Sequence, residues 1–176
     1  MKFNIITSIC KKGGIGRRGY IPWNNSNLYT YMFDNLTRGN GNNAVLIGSN
    51  TYNSVWGYQY MPFPGRQTLI WSNNIFNDVP SPCQNMEYID NLDKLVSNNR
   101  KYNEVWIIGG QKMFSYIAKE NIQIQQIYLN YIDSDYNCDL FFPFELFHKS
   151  DKFNIIDKRI INNVNQYFIK VDRIQH

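Results

Sequence analysis

Gly14-Ile15-Gly16-Arg17-Arg18-Gly19-Tyr20-Ile21-Pro22-Trp23 follows the apolar run that opens the chain, and gathers glycines and a Pro-Trp pair into one short loop. The spacing Gly14-x-Gly16-x-x-Gly19 matches the dinucleotide fingerprint, in which glycines open a helix whose N-terminus receives a pyrophosphate. Pro22 argues against that reading. A proline three residues after the last glycine removes a backbone donor and biases Ile21 away from helical angles, so the segment stays an extended loop. The helix and the acidic residue that would complete a Rossmann unit are not in their places.

The length of 176 residues fits one domain spanning 1–176, large enough to bury a core without disulfide or metal staples. Aromatic residues make up 16% of the chain and charged residues 18%, the latter below the usual quarter of a soluble protein. The net charge of +4 comes from Lys and Arg scattered along the chain, not from a run or stripe, which argues against nucleic acid as the partner. Cys10, Cys83 and Cys138 are far apart in sequence and form no metal-ligand or redox spacing, so reduced thiols in a cytoplasmic protein are expected, with no metal site. His148 and His176 are the only imidazoles, the second at the chain end, which leaves little for a His-based triad. The opening apolar run is too short for a signal peptide, and no stretch reaches the 18 apolar residues of a membrane span.

Short β-branched and aromatic runs alternate with helix-like segments, an α/β pattern. Strands are expected at Phe3 to Ile9, Ala44 to Ile47, Gln67 to Trp71, Val105 to Ile108 and Ile124 to Ile132. Helices fit Leu28 to Leu36, Thr51 to Val55, Leu92 to Ser97 and Gln111 to Lys119, and Phe153 to Ile156 with Gln166 to Val171 read as a closing antiparallel pair. The Trp56 to Pro64 stretch, rich in Tyr, Gly and Pro, reads as a long surface loop.

Two further motifs carry chemistry. In Pro62-Phe63-Pro64-Gly65-Arg66 the prolines stiffen the chain and the glycine permits a tight turn, presenting Arg66 from a fixed base. Its guanidinium can grip a carboxylate with two parallel hydrogen bonds; the alternative is a solvated turn residue. In Val105-Trp106-Ile107-Ile108-Gly109-Gly110-Gln111 paired glycines stand where a buried strand turns into a helix, the place where ligands approach an α/β sheet. Missing Cβ atoms and free helix N–H groups suit a phosphate; a plain tight turn is the other reading.

Taken in order, these pieces resemble the dihydrofolate reductase family from Phe3 to Val171. The residues that carry the likeness are Ile15-Gly16 with Gly19 and Pro22-Trp23; Val45-Leu46-Ile47-Gly48 with Thr51; Pro64-Gly65-Arg66; Ile70 with Ser72; and Trp106-Ile107-Ile108-Gly109-Gly110. Tyr128-Leu129, Ile132-Asp133, Asp139 and Phe142-Pro143 extend it. The resemblance implies an α/β fold, with a mostly parallel eight-stranded central sheet flanked by helices and an antiparallel C-terminal strand. It also implies NADPH across the strand ends, with NADH not excluded, and hydride transfer to a folate in an adjoining cleft.

By the same resemblance, Trp23 orders water near the pterin, and Trp23, Tyr29 and Asn130 occupy the catalytic positions. Ile6, Ile21, Tyr29, Phe33, Val55 and Arg66 would face the substrate, with Ile21 on a mobile loop and Arg66 on the glutamate tail. Ser8, Ile15, Gly16, Gly48, Ser49, Thr51, Ser72, Ile108, Gly109, Gly110, Lys112 and Phe114 would meet the cofactor.

The departures cluster. Where the family has an Asp or Glu on its first helix to grip the pterin, this chain has Tyr29; Asn27 is no acid, and Asp34 lies about 140° further around the helix. Ser49-Asn50 and Asn73 replace the basic residues usual around the adenosine 2′-phosphate, and Asn130 replaces a threonine of the acid's network. Three readings follow: a dihydrofolate reductase with a rebuilt and weaker pterin contact; a catalytically poor protein of that fold with a binding or assembly role and a protein partner; or a reductase of the riboflavin-pathway type.

Overall fold

The computed structural model describes residues 1–54, 62–72, 85–97 and 101–172. The elements run β1 (Lys2–Cys10), β2 (Gly14–Gly16), α1 (Asn27–Arg38), β3 (Ala44–Gly48), α2 (Ser49–Tyr52), β4 (Gln67–Trp71), β5 (Met86–Ile89), α3 (Asp93–Ser97), β6 (Glu104–Gly109), α4 (Gln111–Lys119), β7 (Ile124–Ile132), β8 (Leu140–Phe141), β9 (Lys152–Ile161) and β10 (Val164–Asp172). Eight strands form one sheet in the order β5-β4-β3-β6-β1-β7-β10-β9, while β2 pairs with β8. The β1 strand is parallel to β6 and β7, β3 to β4 and β6, and β4 to β5; β10 runs antiparallel to β7 and β9. This is the mostly parallel eight-stranded sheet with an antiparallel C-terminal strand that the family resemblance implies.

The pleat divides each central strand between two cores. Ile5, Leu46, Leu69, Ile107 and Leu129 face the core that α4 covers with Met113, Phe114 and Ile117. Their neighbours Ile6, Val45, Trp106 and Tyr128 face the other side, under Tyr29, Phe33 and Leu36 of α1. Both faces are buried, which is why these strands read as unbroken apolar runs instead of alternating ones.

Local signals set the helix ends. Ser26 caps α1, its Oγ accepting from the Tyr29 N–H at 3.0 Å. Gly39, at φ 52°, closes the helix by donating its N–H to the Asn35 carbonyl at 2.9 Å. The helix expected over Thr51 to Val55 instead begins at Ser49, directly at the end of β3, and closes at Tyr52. Val55 lies outside the described residues, as do Asn73, Cys83, His176 and 56–61 of the expected surface loop.

The strand expected over Phe153 to Ile156 runs on to Ile161, because β10 supplies a full antiparallel ladder through the polar Asp157-Lys158-Arg159 segment. Three strands carry no run long enough to stand out: β2, β5 and β8 hold 3, 4 and 2 residues. No helix among the described residues is long and apolar enough to cross a membrane.

Candidate active site

The C-terminal ends of the parallel strands open into a cavity of about 1120 Å³. Single-ligand pockets usually span about 300–1,000 Å³, so this cleft exceeds the volume one small molecule needs. One end is built on Gly48 of β3, Thr51 of α2, Ser72 after β4, and Gly110 with Lys112 at the start of α4. The other is walled by Ile6 of β1, Ile21 and Trp23 of the loop after β2, and Tyr29 and Phe33 of α1. Ser8, Ile15, Gly16, Ser49, Ile108 and Phe114 also line it.

The Gly109-Gly110 peptide bond is cis, and Gly109 sits at φ 121°, a region closed to most side chains. A Cβ on Gly110 would stand 2.5 Å from Thr51 Oγ1. Bare backbone therefore faces the Thr51 hydroxyl where β6 turns into α4. Gly110 caps that helix without a side-chain hydrogen bond, leaving its N-terminal N–H groups free of a capping side chain.

At the opposite wall, Tyr29 is 8% exposed and packs edge-on against Phe168, with ring centroids 6.2 Å apart. Burial pushes its phenol up to about 12, opposed only by a hydrogen bond with Ser8, so the hydroxyl is neutral throughout the physiological range. Below Tyr29 lies a network made entirely of neutral groups. Asn130 Nδ2 stands 3.1 Å from Asn25 Oδ1, 3.3 Å from Gln166 Oε1 and 3.4 Å from Ser8 Oγ. Ser8 Oγ donates to Asn25 Oδ1 at 2.9 Å, and Gln166 Nε2 donates to the Asn24 carbonyl at 2.7 Å. Trp23 packs edge-on against Tyr136 at 5.4 Å, and its buried Nε1 has no hydrogen-bond partner among the described residues.

Most of the expected site residues line the cleft; Gly109 is not among its lining, and Val55 lies outside the described residues. Asn130 stands behind the wall, reaching the site through Ser8 and Asn25. Arg66 is turned away: its side chain is 1% exposed, and Nη1 donates to Asp34 Oδ1 at 2.8 Å and to the Pro64 carbonyl at 2.9 Å. The guanidinium carbon lies 5.8 Å from the Phe33 ring centroid and 5.2 Å from that of Phe63, so two aromatic rings stand against it. The helical-wheel position of Asp34, off the Tyr29 face, is what delivers it to Arg66.

Asn25, Gln166 and Phe63 were not singled out in the sequence. Asn25 adjoins Trp23-Asn24 and Gln166 starts the core-facing alternation of β10, but an amide in so Asn-rich a chain carries no mark of its own. Cys10 and Cys138, 128 positions apart, meet with sulfurs 3.6 Å from one another as free thiols, a proximity that spacing along the chain does not show. Among the described residues no group of three His, Cys, Asp or Glu side chains is placed to hold a metal.

A mostly parallel sheet with a long cleft at its strand ends, bare glycine backbone before a helix N-terminus and an apolar wall opposite belongs to the class of open α/β proteins whose ligand crevice lies outside the carboxyl ends of the strands. The dihydrofolate reductase family pattern matches residues 2–175, and the chain belongs to that family. It is similar to the dihydrofolate reductase of Heliothis virescens, 26% identical over 178 residues, covering 96% of this chain and 95% of that one. It is also similar to the dihydrofolate reductase of Aedes albopictus, 32% identical over 150 residues, 81% of this chain and 79% of that one.

Proposed function

We propose that this protein reduces dihydrofolate, or a closely related dihydropterin, to the tetrahydro form in the cytoplasm. NADPH is the expected reductant and NADH an accepted one. The observation that carries this reading is the union, in one cleft, of the Gly110 and α4 terminus with the Trp23, Tyr29 and Phe33 wall.

The chain's groups suit the nucleotide. Gly110 leaves room for close approach, the α4 N-terminus favours a phosphate, and Ser49, Thr51, Ser72 and Lys112 offer hydroxyl and ammonium partners. When bound, the reduced nicotinamide supplies hydride. Ile15 and Gly16 shape its berth on the β2 side, and Ile21 belongs to the loop that excludes water. Phe33 and Ile6 hold the heterocycle by apolar contact, and the unpartnered Trp23 Nε1 donates to a water or ligand atom beside it. Tyr29 remains protonated, so it orients the ring edge through one hydroxyl and supplies no anion; the proton that accompanies the hydride comes from solvent. Asn130 acts indirectly, fixing Ser8 and Asn25.

The cofactor's 2′-phosphate finds few cations here. Ser49, Asn50 and Ser72 line that end, and neither 55–61 nor 73–84 contains Lys or Arg. We therefore assign little discrimination between NADPH and NADH. A second reading, a protein that binds pterin but turns it over poorly, is favoured by the wholly neutral network beneath Tyr29. The third reading, a riboflavin-pathway-type reductase, is opposed by the retained Trp23.

Absorbance at 340 nm with dihydrofolate and either nucleotide is the test. Turnover supports the reductase reading, binding without turnover supports the second, and neither overturns both.

A further inference from the structure

Cys10 and Cys138 are the free cysteines among the described residues, and neither lines the cleft. Cys10 ends β1 with no exposed surface, and Cys138, half-buried, stands just before β8. Their sulfurs are 3.6 Å apart and both crowd the space a Gly14 side chain would need: a Cβ there would lie 2.6 Å from the Cys138 Sγ and 2.8 Å from the Cys10 Sγ. The backbones that carry them are already tied together. The Lys11 N–H donates to the Ser134 carbonyl at 3.0 Å, Lys11 Nζ pairs with Asp133 at 3.3 Å, Lys12 pairs with Asp135, and the Asp139 N–H donates to the Gly16 carbonyl at 3.1 Å. Strands β2 and β8, which this corner holds, have only 3 and 2 residues, yet they bring Ile15, Gly16 and Leu140 to the cleft.

We propose that Cys10 and Cys138 form a site of reversible disulfide modification, in which the closed bond fastens the 133–139 loop to the end of β1 and steadies the β2–β8 edge of the cleft. This stands whichever ligand the cleft takes. The reason is geometric: a disulfide needs sulfurs about 2.0 Å apart, so closure asks roughly 1.6 Å of approach from side chains that already share one site. The oxidant is a low-molecular-weight disulfide of the glutathione type. The Cys138 thiolate attacks one of its sulfurs, breaking the small S–S bond, forming a mixed disulfide and releasing the first small thiolate. Cys10 then gives up its proton and attacks Cys138 Sγ, breaking the mixed bond and releasing the second. The protein loses two electrons and two protons, and the small disulfide becomes two thiols. Because burial raises the Cys138 thiol to about 12, the opening step is slow, on the order of hours, while the second is fast because Cys10 is held in contact. The pair therefore answers to sustained oxidising conditions and not to a brief pulse.

The test uses the full chain carrying Cys83→Ser, in which Cys10 and Cys138 are the only thiols, equilibrated with mixtures of oxidised and reduced glutathione. The native protein is expected to lose two hydrogens in intact mass with no retained adduct, to yield a peptide crosslinked between Cys10 and Cys138, and to revert with dithiothreitol. The closed form should melt at least about 5 °C higher, since the bond spans 128 positions, and should exchange the amides of 14–16 and 140–141 several-fold more slowly. Cys10→Ser in the same background should stop at a mixed disulfide on Cys138, with no comparable rise in Tm. A native protein that stays reduced, or stops at the mixed disulfide, under conditions that crosslink the urea-unfolded chain overturns the inference; so does a crosslink that leaves Tm and exchange unchanged. Should Cys83→Ser fail to fold, peptide mapping, melting and exchange of the oxidised wild-type chain decide by the same criteria.

Discussion

Ser8 and Asn130 are register partners on the adjacent parallel strands β1 and β7, and the Asn130 amide nitrogen lies 3.4 Å from the Ser8 hydroxyl. Phe168 of β10 pairs with the same Asn130 from the other side, while Tyr29 of α1 packs on Phe168. Four elements thus converge on a polar spot with no formal charge. A charge-assisted hydrogen bond contributes about 1.5–3 kcal/mol, so Tyr29→Glu is expected to raise kcat/KM for dihydrofolate by roughly ten- to a hundredfold. Combining it with Asn130→Thr should give a non-additive gain, because both positions meet through Ser8. Steady-state kinetics of the two single variants and the double variant would check this.

Alkaline pH exposes the burial of Tyr29. Its phenol ionises near pH 10 when unfolded and near 12 when folded, so the folded state holds the proton more tightly. That stabilisation is complete below pH 10 and is lost as pH rises through 12. Urea titrations should show wild type losing stability over this window, on the order of 2 kcal/mol more than Tyr29→Phe, which has no hydroxyl to ionise. Equal slopes for both proteins would contradict the assignment.

Gly110→Ala places a Cβ 2.5 Å from Thr51 Oγ1, at the end of the cleft proposed for the nucleotide. The expected outcome is at least tenfold weaker NADPH binding, measured by the change in nucleotide fluorescence. Dihydropterin binding at the Tyr29 wall should change far less.

Gly14 is closed to any side chain for a structural reason. A Cβ there would lie 2.5 Å from Cys138 Cβ and 2.6 Å from its Sγ, and the first of these atoms cannot swing away. Gly14→Ala should cost about 1–3 kcal/mol, a fall in Tm of several degrees for a chain of this size. Thermal unfolding by circular dichroism measures it.

Burial also raises the Cys138 thiol to about 12, with the neighbouring Cys10 adding to the shift. The thiolate is thus far scarcer at pH 8 than in a free cysteine, where it makes up roughly a quarter. Iodoacetamide should therefore label Cys138 slowly in the native protein and rapidly in denaturant, as peptide mapping would show.

The sequence by itself determined the α/β alternation and the places of its decisive turns. Pro22 denies the glycine loop a helix, Gly109-Gly110 ends β6, and Ser26 and Gly39 bracket α1, all through steric or hydrogen-bonding rules that act over a few residues. Apolar runs such as Ala44 to Ile47 marked strands because both of their faces are covered. Tertiary structure decided the partners. Asp34 reaches Arg66 across 32 positions, Cys10 reaches Cys138 across 128, and Asn130 finds Gln166 through the β7-β10 ladder. Neither pattern nor propensity encodes such meetings, because strand order and register bring together side chains whose separation along the chain carries no signal. The neutral network behind Tyr29 and the pairing of Arg66 with Asp34 both depend on those meetings.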